Sequence, residues 1–176
     1  MKTRVWPLAV AALTALVAVA GRGTPAEATK PGPPPAGTVC TWGGTAAAPT
    51  GTFTITPGLT SVPLAAPAKF YVTGELGGDP ACGGSLTYLG QIDASGTCEL
   101  TTFEGDAKGI PGVTRFAGVG AGPFGPARLY DKAGNVIASE NANIVTADNS
   151  ALDCASPEGF EGGTFSSTIV FLDQRS

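Results

Sequence analysis

Apolar and polar residues alternate along much of this chain with a period of two. Thr52 to Thr56 reads TFTIT, with Phe53 and Ile55 on one parity and threonines on the other. Lys69 to Leu76 groups Phe70, Val72 and Leu76 against Lys69, Tyr71, Thr73 and Glu75. Ser85 to Ile92 groups Leu86, Tyr88 and Ile92, and Phe165 to Leu172 groups Phe165, Ile169 and Phe171. Successive side chains of a β-strand point to opposite faces, so each run predicts a strand with one buried and one solvated face. Shorter strand signals lie at 38–43, 113–120, 128–130 and 136–145. One run changes phase. Over 97–105, Cys98 and Leu100 share a parity that Phe103 does not, which predicts a β-bulge near Thr101-Thr102.

Turn residues separate these runs. Asp93-Ala94-Ser95-Gly96 and Asp131 to Asn135 read as hairpin connections, and residues 146–163 as a long polar one. The 26 glycines and 15 prolines disfavour long helices, and no helical face follows residue 28. Eight or nine strands, mostly in hairpin order, predict an all-β antiparallel meander. Closure removes exposed sheet edges, so a small β-barrel is favoured over a β-sandwich.

The first 28 residues have a different pattern. Lys2 and Arg4 precede an apolar run of thirteen residues, Leu8 to Ala20, and Ala26-Glu27-Ala28 ends the segment. This is the three-part layout of a secretory signal, with a helical apolar region and cleavage after Ala28. The run is shorter than the roughly 20 residues that span a bilayer, so no retained transmembrane segment is expected. Residues 29–37 read as a Pro-rich linker and 38–176 as a single domain. The expected location is extracellular, and the Ala/Gly/Pro-rich composition suits an exported bacterial protein.

Cleavage would remove three of the ten basic residues and one of the fourteen acidic ones, moving the formal charge from −4 to −6. The remaining Lys and Arg form no cluster, whereas phosphate backbones require several converging cations. No nucleic-acid partner is expected. Cys40, Cys82, Cys98 and Cys154 all follow the signal. Four cysteines in an exported chain without a C-x2-C pair read as two disulfides, and three connectivities remain open.

The chain has no histidine, which excludes Ser-His-Asp and Cys-His catalysis and every His-ligated metal site. No cofactor and no metal site is expected. Asp131 with Asn135, and Asp148, Asn149 and Asp153, are oxygen-rich, but Ca²⁺ wants six to eight oxygens and turn chemistry accounts for these residues. Glu104 and Asp106 lie two apart and would share a strand face. With Glu99, Asp131 or Glu140 on neighbouring strands they could flank a glycosidic bond, one carboxyl as acid and another as base or nucleophile. Tyr71, Tyr88 and Tyr130 are the candidate ligand-binding aromatics, Tyr71 because alternation sets it opposite Phe70 and Val72. The preferred reading is a non-enzymatic secreted β-domain that binds a ligand or extracellular partner or has a structural role. The alternative is a secreted carboxylate-dependent hydrolase acting on polysaccharide. A third reading is an interaction domain recruited to a cell envelope through the Pro-rich arm.

Overall fold

The computed structural model describes residues 31–120, 125–144 and 154–173. The predicted signal, and the loop carrying Asp148, Asn149 and Asp153, lie outside the described residues. The strands are β1 (Val39–Trp42), β2 (Gly44–Thr45), β3 (Ala48–Pro49), β4 (Gly51–Leu59), β5 (Ala68–Gly78) and β6 (Ser85–Ile92). They continue with β7 (Thr101–Lys108), β8 (Arg115–Gly120), β9 (Ala127–Tyr130), β10 (Val136–Ile144) and β11 (Phe160–Phe171).

From β4 to β11 each strand pairs antiparallel with the next, and β11 returns to pair with β4, Phe165 opposite Gly51. The sheet therefore closes into an eight-strand antiparallel barrel. One wall is made of two pieces. β1 pairs with Leu76 to Gly78 of β5 and Ser167 to Val170 of β11, while β4 pairs with the adjoining stretches of both strands. The β2–β3 hairpin is thus an excursion from one long wall, and the wall resumes where Thr50 and Gly51 both donate to the Gly43 carbonyl. Gly43 turns the chain there at φ +71°, and a Cβ on it would press into Gly51 and the Phe165 carbonyl. Only glycine fits both demands.

The predicted alternation is visible in burial. Phe53, Ile55, Phe70, Val72, Leu86, Tyr88, Ile92, Phe165, Ile169 and Phe171 are all buried in one core. Trp42 packs between the rings of Tyr88 at 4.5 Å and Phe165 at 4.6 Å, and its indole N–H donates to the carbonyls of Gly74 and Leu86. The opposite parity carries threonines and charges. This apolar-in, polar-out lining is the reverse of a transmembrane barrel. No helix among the described residues is long and apolar enough to cross a membrane.

The two disulfides pair Cys40 with Cys82 and Cys98 with Cys154. The first ties β1 to the β5–β6 turn, and the second ties the β6–β7 loop to the segment before β11. Successive hairpin turns lie at opposite ends, so one bridge clamps each end of the barrel. Each contributes about 2–4 kcal/mol by restricting the unfolded chain. Part of the Pro-rich arm also reaches the barrel, since the Gly37 amide donates to the Phe171 carbonyl and Pro33 sits beside Gly112.

Two local expectations are corrected. There is no bulge at Thr101-Thr102, which pair with Gly120 and Val119 of β8 in unbroken register, while the ladder to β6 begins at Phe103. The phase change arises because Cys98 and Leu100 belong to the loop before β7, and the strand itself buries Thr101, Phe103 and Ala107. Register shifts occur instead between Val136 and Ala138 and between Phe160 and Gly162. β11 also begins at Phe160, inside the stretch read as a connection, because Gly162 and Gly163 give no apolar alternation to betray the strand.

Candidate functional site

The most polar point inside the barrel is Glu140 on β10. The register shift after Val136 aligns Ala138, Glu140 and Ala142 with the interior, and Glu140 is only 4% exposed. Tyr88 of β6 donates its phenol O–H to Glu140 Oε2 at 2.7 Å. Ser167 of β11 donates its hydroxyl to Glu140 Oε1, also at 2.7 Å. β6 and β10 stand four places apart in the eight-strand ring, on opposite walls. The Tyr88–Glu140 bond therefore spans the barrel. Tyr88 is held from its other side by Phe116, whose ring stacks on it at 4.1 Å.

Burial pushes the Glu140 carboxyl above its ordinary range, and the two hydroxyl donors lower it only in part. Burial, followed by the facing carboxyl, holds the Tyr88 phenol well above its own ordinary value. The cavity beside Glu140 is lined by Trp42, Phe70, Phe103 and Phe165, and its volume of about 20 Å³ suits a single water. This is a packed core with a polar strut through it. As arranged among the described residues, it has no room for an organic substrate.

The concave surface lies outside. Two rows of cross-strand neighbours run over the outer face of β5 to β8. One is Tyr71, Leu89, Asp106 and Arg115; the other is Lys69, Gln91, Glu104 and Ala117. Beneath them, on the inward parity, Gly90 of β6 faces Gly105 of β7. A Cβ on either would collide with backbone of the partner strand, and one on Gly90 would also strike the Phe70 and Phe116 rings. Their absence lets the two strands crease toward the core. The outer side of the crease forms a groove of about 720 Å³ floored by glycine backbone. Tyr71 and Leu89 are each 43% exposed at its side. A second outer groove of about 650 Å³ lies between β7 and β10 and shares Glu104.

The residues singled out from sequence separate into these two settings. Glu104 and Asp106 share the outer face of β7, both exposed, whereas Glu140 faces the interior. The barrel wall lies between them, so Glu140 does not flank a common substrate with the other two. Tyr71 is on the outer groove and Tyr88 is in the core. Tyr130 is half-buried on the outer face, with the Arg115 guanidinium 5.0 Å above its ring. Asp131 receives both the backbone N–H and the side-chain amide of Asn135, at 2.8 and 2.9 Å, and these bonds hold its carboxyl below the ordinary range. That is turn chemistry. Among the described residues no group of three or more Cys, Asp or Glu converges as a metal site would require.

The sequence alone offers Glu140 as an acidic neighbour of Glu104 and Asp106, not as a core residue. The signal for its real place was its parity, shared with Ala138 and Ala142, together with the need of a core tyrosine for a hydroxyl partner. Comparison with protein-family models, with curated proteins and with solved structures gave no match.

Proposed function

We propose that this chain is an exported, non-enzymatic binding domain that works through the outer face of its barrel. The observation that carries this reading is the contrast in usable space. Among the described residues the interior cavity beside Glu140 has about 20 Å³, while the crease on β5 to β8 offers about 720 Å³ lined by an exposed aromatic, an exposed leucine and charged side chains. The larger value falls in the range of small-ligand sites, about 300–1,000 Å³. The signal-like first 28 residues and the two disulfides support an extracellular place of work. A rigid barrel with a solid core and a clamp at each end suits a surface that recognises without changing shape.

The test is retention of the labelled mature domain on insoluble cell-envelope material. Wild type is expected to be retained. A Tyr71→Ala/Leu89→Ser variant should lose about tenfold in apparent affinity, as expected when central contacts are truncated. Equal retention of the two proteins would sink the outer-face reading.

A further inference from the structure

We infer that the crease between β5 and β8 binds a neutral oligosaccharide, an assignment that rests on the outer-face reading and gives it a ligand class. The argument starts from charge. Lys69 and Arg115 bring two positive charges to the groove, and Glu104 and Asp106 bring two negative ones. A polyanion would meet both carboxylates, and the whole chain, at −4, would repel it further. A cationic segment would meet Lys69 and Arg115. An extended peptide adding as a strand needs a free sheet edge, and β5 to β8 are each paired on both sides.

A sugar fits what remains. Each hydroxyl both donates and accepts, and the groove offers donors on Lys69 and Arg115, acceptors on Glu104 and Asp106, and both on Gln91. These side chains stand in two rows across strands about 4.8 Å apart, so neighbouring hydroxyls can be met by neighbouring strands. Arg115 is steadied by the Tyr130 ring beneath it, which lowers the entropy lost when its guanidinium engages a ligand. Tyr71 supplies a flat aromatic face, whose negative π surface suits the partly positive C–H face of a pyranose. The two inward-facing glycines let the wall sink toward the core, which makes the outer surface concave enough to seat a ring.

The experiment is an amide ¹H–¹⁵N NMR titration of the mature domain. The neutral probes are cellohexaose, xylohexaose, maltohexaose and chitohexaose, with a sulfated heparin oligosaccharide and an acidic and a basic peptide as contrasts. At least one neutral hexasaccharide should shift the amides of residues 69–71, 89–91 and 104–106. Tyr71→Ala should weaken that binding about tenfold while its spectrum stays dispersed. No shift at these amides with any neutral sugar, or shifts confined to another face, overturns the proposal. Shifts at the same amides from the sulfated probe or a peptide alone would overturn the neutral-sugar assignment and leave the outer-face reading standing. Should envelope retention also persist in the double variant above, both readings fall.

Discussion

Glu140 and the pair Glu104 and Asp106 are carboxylates of one barrel placed on opposite sides of its wall. Glu140 is enclosed, meets two hydroxyl donors and spans the interior through Tyr88. Glu104 and Asp106 stand in water beside Gln91 and Arg115. The difference teaches where each could act. A buried carboxyl is costly to ionise and must be hydrogen-bonded, so it specifies packing. An exposed one contributes little to stability and remains available to a ligand.

The largest effect expected is at the interior carboxyl. Glu140→Ala leaves the Tyr88 and Ser167 hydroxyls buried without their acceptor and enlarges the cavity. Each orphaned hydroxyl costs about 1–3 kcal/mol, and relief of the buried carboxyl offsets part of the sum. The expected loss is about 2–4 kcal/mol in urea unfolding. A loss below about 0.5 kcal/mol, the ordinary size for a surface change, would mean that Glu140 is no more structural than Glu104. Tyr88→Phe is the next step down. It keeps the ring stacked on Phe116 and removes only the cross-barrel donor, so a loss of about 1.5–3 kcal/mol is expected. Ring geometry should survive, visible as an unchanged near-ultraviolet circular dichroism pattern apart from the phenol contribution.

Much of this contrast was legible in the chain before its fold was known. Period-two alternation placed Phe53, Ile55, Phe70, Val72, Leu86 and Tyr88 inside, and set Lys69, Tyr71, Thr73 and Glu75 on the other face. Glu104 and Asp106 were placed together because two residues apart on a strand is one face. Parity fixes faces only within an unbroken strand, and Glu140 lies beyond a register shift. The local run Ser139-Glu140-Asn141 is polar on both parities, so the small Ala138 and Ala142 are the one nearby sign of which side is buried. The decision comes from Tyr88, 52 residues away, through barrel closure. The crease is non-local in the same way. Gly90 and Gly105 are ordinary strand glycines until the β6–β7 register sets them opposite each other.

The pH response should separate the buried Glu140 from the turn carboxylate Asp131 in sign. The folded-state pKa of Glu140 is raised, so its favourable contribution is complete below its unfolded value and is lost as pH rises through the folded one. The loss amounts to about 1.4 kcal/mol for each unit by which the pKa is raised. Asp131 acts oppositely. Its lowered pKa adds stability above the unfolded value that disappears as pH falls through the folded one. Glu140→Gln keeps the shape and hydrogen-bonding capacity of the strut and cannot ionise. It should match wild type at acid pH and exceed it at alkaline pH in thermal unfolding, leaving only the acid limb. Parallel curves for the two proteins across the range would show that Glu140 does not feel its burial.

The smallest stability effect belongs to the outer pair and carries the most functional information. Glu104→Gln/Asp106→Asn removes two exposed charges from β7 and should leave urea unfolding within about 0.5 kcal/mol of wild type. It also leaves Lys69 and Arg115 uncompensated in the crease, so the groove changes from balanced to net positive. A neutral sugar should then bind more weakly because amides replace carboxylate acceptors, while a sulfated probe should gain. The same protein tests the hydrolytic alternative, for which two carboxylates are indispensable. If wild type cleaves a polysaccharide in a broad glycan screen and this variant does not, the outer pair is catalytic and the binding reading gives way. If neither cleaves, while affinity shifts from neutral to anionic sugar, the outer carboxylates act by selecting ligand charge. Glu140, one strand thickness away, would then have no part in that selection.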